Sequence, residues 1–141
     1  MRSLDQEFVE MYKDIGMRQG LNNPLLTMIF AHIFIEPEDI AMDELARRTG
    51  YSLASVSNAI KLLDTMAPIK KVKKPGSKKL YLRVEKDFSK MFRESIEKKE
   101  QLMITLIQQK VPEIISKHKH RAKTERQKKK IKILYLIILI K

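Results

Sequence analysis

Residues 42–82 have the sequence MDELARRTGYSLASVSNAIKLLDTMAPIKKVKKPGSKKLYL, and this stretch decides the fold. Asp43 and Glu44 suit the positive end of a helix dipole, and Gly50 accepts the left-handed backbone that ends many helices. Ser52 is a good N-cap for a second helix, in which apolar residues recur at helical spacing. The stretch therefore predicts two short helices joined by a tight turn.

The second predicted helix covers about residues 52–65 and has two different faces. One face collects the apolar residues Leu53, Val56, Ile60 and Leu63. We expect that face to be buried, because its spacing matches one side of a helix. The other side carries residues that are small, hydrogen-bonding or cationic, which suit the floor of a DNA major groove. We expect these residues to contact DNA, with the first also capping the helix: Ser52, Ala54, Ser55, Asn58 and Lys61.

A lysine-rich hairpin is predicted directly after this helix, over residues 69–84. Pro75-Gly76 favours a type II turn, and the flanking β-branched and aromatic residues indicate strands. Residues 61–83 hold eight Lys or Arg against one acid, Asp64. A solvated basic face explains part of this charge, but its position after a recognition helix favours phosphate contacts. The lysines expected to make them are Lys73, Lys74, Lys78 and Lys79.

Two helices followed by a hairpin predict a winged helix-turn-helix, a mainly α fold with a small β-hairpin. The residues also resemble the MarR superfamily of winged-helix transcription regulators, nearest its GbsR-like branch. The resemblance spans roughly residues 15–90 and is carried by Asp43-Glu44-Leu45-Ala46, Gly50-Tyr51-Ser52, Val56-Ser57, Leu63 and Pro75-Gly76-Ser77-Lys78-Lys79-Leu80-Tyr81. It implies long terminal dimerisation helices and a homodimer on a pseudo-palindromic operator in double-stranded DNA, often controlled by a small-molecule effector.

The composition agrees with a nucleic-acid partner. The chain has 141 residues, 43% hydrophobic content and a formal net charge of +12. This length allows one compact domain plus some extended helix, and the charge predicts either nucleic acid or an anionic membrane surface as partner. Residues 36–46 hold five acids and no Lys or Arg, whereas residues 61–83 are net +7 and residues 117–132 are net +8.

Several classes of chemistry lack a signature in the sequence. The absence of cysteine excludes disulfides, thiolate metal sites and thiol-based oxidant sensing. We find no phosphate-binding glycine loop, no histidine pair at metal-ligand spacing and no nucleophile elbow, so we expect no enzyme, no cofactor and no metal. The N-terminus lacks the apolar run of a signal peptide, which favours a cytoplasmic protein.

The rest of the chain is predicted to be mainly helical. Residues 1–20 should form an N-terminal dimerisation helix, residues 21–87 the DNA-binding domain, and residues 88–141 the C-terminal dimerisation helices with a basic segment. Ile40-Ala41-Met42 should pair with the hairpin as a third small strand. Pro112 lacks an amide donor and clashes with the preceding turn, so we expect a kink or a break there.

The tail combines a basic segment with the apolar run of residues 131–140. This run is too short to cross a membrane, which needs about 20 apolar residues. Burial in a dimer is the favoured interpretation, while a membrane-surface anchor and disorder or an unnatural chain end stay open. His118-Lys119-His120 is interpreted as part of the basic face rather than as a metal chelate.

Two function hypotheses follow, and a ligand site accompanies the first. The main hypothesis is a sequence-specific DNA-binding regulator, and the alternative is a winged-helix module that binds a protein or a membrane surface through its basic tail. RNA binding ranks third, because the hairpin shows no aromatic stacking platform. His32 is expected in the core or lining a pocket. By analogy with the resembling regulators, an effector is expected near His32, Phe34 and Phe92.

Overall fold

The computed structural model of the chain describes residues 1–139. They form two compact units, one over Met1–Ile96 and one beginning at Glu97. The fold is mainly helical with a small antiparallel sheet, as the sequence predicted. The elements are α1 (Leu4–Arg18), α2 (Pro24–Ile35), β1 (Ile40–Ala41), α3 (Met42–Thr49), α4 (Leu53–Leu63), β2 (Ile69–Lys73), β3 (Leu80–Val84), α5 (Phe88–His118), a 3-10 turn (Lys119–Arg121) and α6 (Glu125–Ile137).

Helix α2 lies at the centre of the core of the first unit. Ile29 and Ile33 are completely buried, as expected for a helix that is apolar nearly all round. Its start is fixed by Asn23, whose side-chain oxygen accepts a hydrogen bond from the amide of Leu25 at 3.2 Å. Pro24 occupies the first helical position, where a missing amide donor costs nothing. Helix α1 packs against α2 within the same unit.

The turn between α3 and α4 has the geometry that the sequence predicted. Gly50 ends α3 in the left-handed conformation, with φ of 75°, and its amide donates to the carbonyl of Ala46 at 3.0 Å. Ser52 begins α4, because its hydroxyl accepts from the amide of Ser55 at 3.1 Å. Leu45, at 0% exposure, packs α3 against the core. These contacts set the orientation of α4 on the unit.

The buried face of α4 differs from the prediction at two residues. Val56, Ile60 and Leu63 are buried, but Leu53 is 53% exposed. Leu53 is the first residue of the helix and lies at the edge of the buried face. Ala59, which the prediction left out, is buried. The start of α4 is therefore more accessible than apolar spacing alone indicates.

The sheet has the strand order β1-β3-β2, and both pairs are antiparallel. Ile40 pairs with Leu82 and Ala41 pairs with Tyr81, which confirms the predicted third strand. Met42, included in that prediction, instead begins α3. Leu82 is completely buried, so the middle strand attaches the hairpin to the core.

The hairpin reverses at Pro75-Gly76, as predicted. Gly76 has a φ of 77°, a left-handed value that glycine adopts without a Cβ penalty. The amide of Ser77 donates to the carbonyl of Lys74 at 3.2 Å and closes the turn. The turn thus carries the neighbouring lysines at the tip of the hairpin.

In the second unit, α5 continues through Pro112, so of the predicted kink or break the break is wrong. Proline removes the hydrogen bond to the carbonyl of Gln108, but both residues are exposed and water can satisfy that carbonyl. Val111 and Ile115, on either side of the proline, are buried. The helix can therefore keep its apolar contacts across the proline.

Helix α6 begins at a capping box that the prediction overlooked. The hydroxyl of Thr124 accepts from the amide of Gln127 at 3.1 Å, and the side chain of Gln127 accepts from the amide of Thr124 at 3.1 Å. Ile140, the last residue of the predicted apolar run, lies outside the described residues. Among residues 1–139, no helix has the length and apolar content needed to cross a membrane.

Candidate nucleic-acid interface

The outward face of α4 carries the residues that were predicted to contact DNA. Ala54, Asn58 and Lys61 are exposed and follow one row along the helix, on the side away from the buried face. Ser52 is exposed and Ser55 is half-buried at the edge of this row. The structure therefore brings all five residues together on one accessible surface.

Ser52 and Ser55 are linked at the start of the helix. The hydroxyl of Ser52 accepts from the amide of Ser55 and donates to the Ser55 hydroxyl oxygen at 2.9 Å. Ser52 is therefore engaged mainly in capping, as expected. Ser55 keeps its own hydroxyl hydrogen for an outside acceptor, such as a base edge or a phosphate.

Three large side chains in or just before α4 are exposed, although the sequence did not predict it. Tyr51, Leu53 and Leu62 are 43%, 53% and 48% exposed. Leu62 follows Asn58 by one helical turn, so helical spacing alone should have placed it on the outward face. Apolar side chains in this position suit contact with a thymine methyl group.

The hairpin lysines are exposed, but they differ in their contacts. Lys73 and Lys78 form no ion pair with any other residue within 1–139. The Lys74 ammonium lies 4.3 Å from the centroid of the Tyr81 ring. The Lys79 ammonium lies 3.0 Å from a carboxylate oxygen of Asp43 in α3. Within residues 1–139, three of the four predicted lysines therefore have no acidic partner.

A further basic pair lies across the two strands of the hairpin. Lys70 and Arg83 are direct partners in the ladder and both are exposed. Like charges directly opposite one another are unfavourable, and an anion placed between them relieves the repulsion. Asp39 is close to this pair, with its carboxylate 3.9 Å from the Arg83 guanidinium. The pair depends on strand register, which sequence spacing did not settle.

The arginines of α3 are held by acids. Glu44 accepts hydrogen bonds from Arg47 and Arg48, and these bonds lower the pKa of Glu44 to about 2. Arg48 also donates to Glu36 at 3.0 Å, which links α3 to the end of α2. Both arginines are therefore engaged in ion pairs, which makes them less available to a phosphate than lysines without an acidic partner.

Two of the three residues predicted to bind an effector, Phe34 and Phe92, are linked through the ring of Phe88. Phe34 meets Phe88 with ring centroids 5.9 Å apart, and Phe88 stacks on Phe92 at 6.0 Å. His32 is buried on α2, and its Nδ1 has no hydrogen-bond partner among the described residues. Burial, with a smaller effect of Arg48, lowers the pKa of His32. His32 and Phe34 are two positions apart, so they leave the helix on different sides.

A cavity of about 240 Å³ lies elsewhere, within the second unit. It is lined by Ile114, His118, Arg121, Ala122, Gln127, Lys130, Ile131 and Leu134. None of the three predicted effector residues lines this cavity. No sequence pattern predicted it, because the lining comes from three separate elements.

Comparison with known proteins establishes the fold. Neither a protein-family model nor a curated protein matches the chain. Among solved structures, the chain is similar to the crystal structure of a transcriptional regulator, with a TM-score of 0.71 and 17% identity over 95% of this chain and 85% of that chain. At this identity the similarity shows a shared fold. The chain therefore has a fold that a transcriptional regulator also has.

Proposed function

We propose that the chain is a sequence-specific DNA-binding transcription regulator of the MarR superfamily type, which acts as a homodimer by binding rather than by catalysis. The observation that carries this proposal is the exposed row Ala54, Asn58 and Lys61 on α4, on the side away from the buried face. The shared fold with a transcriptional regulator supports it, and so do the sequence motifs that resemble the superfamily.

In this proposal α4 is the recognition helix and enters the major groove. The amide of Asn58 can both donate to and accept from adenine, and Lys61 can donate to guanine. Ala54 is small enough to let the helix approach the bases closely. Ser52 and Ser55 lie at the start of the helix, where their hydroxyl groups can contact DNA phosphates and so fix the register of the helix on the duplex.

The hairpin acts as the wing and contacts phosphates. Lys73, Lys74 and Lys78 are exposed and have no acidic partner within residues 1–139, so they can take up phosphate without losing an ion pair. Lys79 also reaches phosphate in this proposal, once it leaves Asp43. Contacts of this kind add affinity for any DNA sequence, because every base pair presents the same phosphates.

The proposed homodimer is supported by the apolar side chains that the chain leaves exposed. On α1, Leu4, Met11 and Ile15 share a stripe and are 70%, 49% and 40% exposed. On α6, Leu136 is 67% exposed and Leu139 beyond it is 70% exposed. Large exposed apolar patches usually mark interfaces. A two-fold axis would place two copies of α4 in successive major grooves, roughly 34 Å apart.

We further propose that a small-molecule effector binds near His32, Phe34 and Phe92. This rests on the resemblance to regulators whose effectors bind between the DNA-binding lobe and the dimerisation helices. The buried Nδ1 of His32, which has no hydrogen-bond partner within residues 1–139, offers such a ligand a polar contact. A thermal-shift screen of small anions and aromatic compounds tests the site. A hit should alter DNA affinity, and His32→Phe should abolish the shift.

Electrophoretic mobility shift at physiological salt tests the main proposal, with the upstream DNA of the gene for this chain against unrelated DNA. A regulator should give a tight complex with the first and a weak, salt-sensitive complex with the second. Equal, weak binding to both would contradict sequence-specific regulation. A footprint of the upstream region would then define the operator.

A further inference from the structure

Asp43 and Lys79 continue the pairing of β1 with β3 beyond the last backbone pair. Ala41 is the partner of Tyr81; Asp43 lies two positions after Ala41, and Lys79 lies two positions before Tyr81. At Asp43 β1 has ended and α3 has begun, so the contact with Lys79 is made by side chains and not by backbone hydrogen bonds. The Lys79 ammonium and the Asp43 carboxylate lie 3.0 Å apart.

Both members of this pair are held in place locally. One oxygen of the Asp43 carboxylate accepts from the amide of Glu44 at 2.9 Å, which leaves the other oxygen for Lys79. The backbone of Lys79 is fixed by its amide, which donates to the hydroxyl of Ser77 at 3.2 Å. The hydrogen bond between the two side chains lowers the pKa of Asp43 and raises that of Lys79, so both stay charged.

The pair is nevertheless open to exchange. Its side chains are 58% exposed for Lys79 and 51% exposed for Asp43, and water screens ion pairs at such positions. A phosphate that approaches the hairpin can therefore replace Asp43 as the partner of Lys79. Lys78, the preceding residue, has no acidic partner among residues 1–139 and offers its charge without such an exchange.

We propose that Asp43 is an intramolecular competitor of DNA phosphate for Lys79, so that it restrains the affinity of the hairpin for DNA of any sequence. This inference rests on the proposed function. Lys79 contacts phosphate only after it gives up Asp43, whereas Lys73 and Lys78 meet phosphate directly. Asp43 thus sets how much of the hairpin charge is available for binding.

A double-mutant cycle tests the inference, with Asp43→Asn, Lys79→Gln and the variant that carries both. Competition for phosphate does not depend on base sequence, so the probe is an arbitrary duplex of about 30 base pairs in about 100 mM KCl. Fluorescence anisotropy measures the affinity of each full-length variant. A second cycle pairs Asp43→Asn with Lys78→Gln as the matched control, because Lys78 is the neighbouring lysine without an acidic partner within residues 1–139. Circular dichroism confirms that each variant is folded.

Competition predicts that Asp43→Asn raises the affinity about two- to fivefold, the range that the coupling of an exposed ion pair allows. This gain should disappear when Lys79 is already glutamine, and it should persist when Lys78 is glutamine. An equal gain in both cycles would mean that Asp43 acts only through its overall charge, and would overturn the inference.

A loss of affinity on Asp43→Asn would also overturn it, because the pair would then position the hairpin for binding. If no variant binds the duplex, the inference fails, and mobility shift with the upstream DNA decides whether the proposed function fails with it. An additive cycle in proteins that do bind refutes the inference alone.

Discussion

The two basic regions of the chain carry nearly equal charge but differ in what holds their cations. Residues 61–83 are net +7 and residues 117–132 are net +8. In the first region the cations project from elements whose inner residues, Ile60 and Leu82, are almost completely buried. Several of these cations form ion pairs with acids, as Lys79 does with Asp43. In the second region Lys128 pairs with Glu125 at 3.7 Å, within the first turn of an exposed helix.

This difference separates two consequences of positive charge. A net charge attracts any polyanion, and it does so wherever the cations lie. Base recognition needs side chains held at fixed positions relative to the groove, and only a packed scaffold provides them. We therefore expect the first region to determine sequence preference, and the second region to act through the apolar residues that follow its charges.

The largest expected effect comes from the apolar end of the second region. Leu136→Asp places a charge on an exposed position of α6, and should convert a homodimer to a monomer. Loss of the second recognition helix should weaken operator binding by about 10²–10⁴-fold, the usual scale of avidity. Analytical ultracentrifugation at micromolar concentration measures the mass, and mobility shift measures the binding.

Lys129→Asp is the matched control, since it introduces the same residue on the basic part of the same helix, and it should leave the dimer intact. Deleting residues 124–141 should act like Leu136→Asp. A truncated chain that stays dimeric would exclude α6 from the interface. A parent chain that is monomeric would refute the homodimer itself.

The next effect concerns the scaffold of the first region. Leu45 is at 0% exposure in the core, so Leu45→Ala should lower the free energy of unfolding by about 2–5 kcal/mol through reduced burial and a cavity. Urea denaturation followed by circular dichroism measures the change. Leu53→Ala, the same substitution at a 53% exposed position, should change stability by about 0.5 kcal/mol or less. Equal losses at both positions would contradict the burial described for α3 and α4.

Local signals explain how much of this scaffold was predicted. Gly50, Ser52 and Pro75-Gly76 act through the conformation of their own backbone, so their effect is visible in the sequence and appears in the structure. The pairing of Lys70 with Arg83 depends on strand register, and sequence spacing did not determine it. The same holds for Lys79 with Asp43, which are distant in sequence.

The errors have equally local causes. Leu53 fits the apolar period but lies at the end of its helix, where the core no longer covers it. A break was one of the two outcomes expected at Pro112, but α5 is continuous there, and the exposed position lets water replace the missing hydrogen bond. The start of α6 was visible in the sequence as Thr124 followed by Gln127, a capping pattern that was not among the predicted features.

A third prediction tests base recognition in the first region. Asn58→Ala removes the side chain best suited to adenine, and should cost about 1–3 kcal/mol of discrimination at one operator position. Titration against operators with single base changes measures this. Lys73→Gln is the control, because Lys73 is proposed to contact phosphate and its loss should weaken binding to all of these operators equally. Binding by Asn58→Ala that matches the parent at every position would rule out Asn58 as a base contact.

The fourth prediction compares the two regions through salt dependence. Replacing Lys73 and Lys74 by glutamine should reduce the slope of log affinity against log salt by about 0.9 for each phosphate that is no longer bound by a lysine. Replacing Lys128 and Lys129 in α6 by glutamine is the matched control, and it should leave that slope unchanged. Equal reductions by both pairs would mean that the two regions bind DNA alike, and the distinction between them would fail.

The smallest expected effect is a pH dependence of stability from the acid that holds the arginines of α3. Hydrogen bonds from Arg47 and Arg48 lower the pKa of Glu44 from 4.5 to about 2 in the folded chain. A carboxyl with a depressed folded-state pKa contributes its full stability above the unfolded value, and loses it as the pH falls toward the folded value. The contribution of Glu44 should therefore be complete above pH 4.5 and fade toward pH 2.

Urea denaturation across this pH range measures the contribution of Glu44. As the pH falls from 4.5 to about 2, the free energy of unfolding of the parent should fall more steeply than that of Glu44→Gln, which has no carboxyl to protonate at this position. Glu38→Gln is the control, because it removes an exposed acid that has no ion pair within residues 1–139, and it should leave the parental profile unchanged. If the free energy of unfolding falls equally steeply with pH in the parent and in Glu44→Gln, then Glu44 does not form these hydrogen bonds with the two arginines in solution.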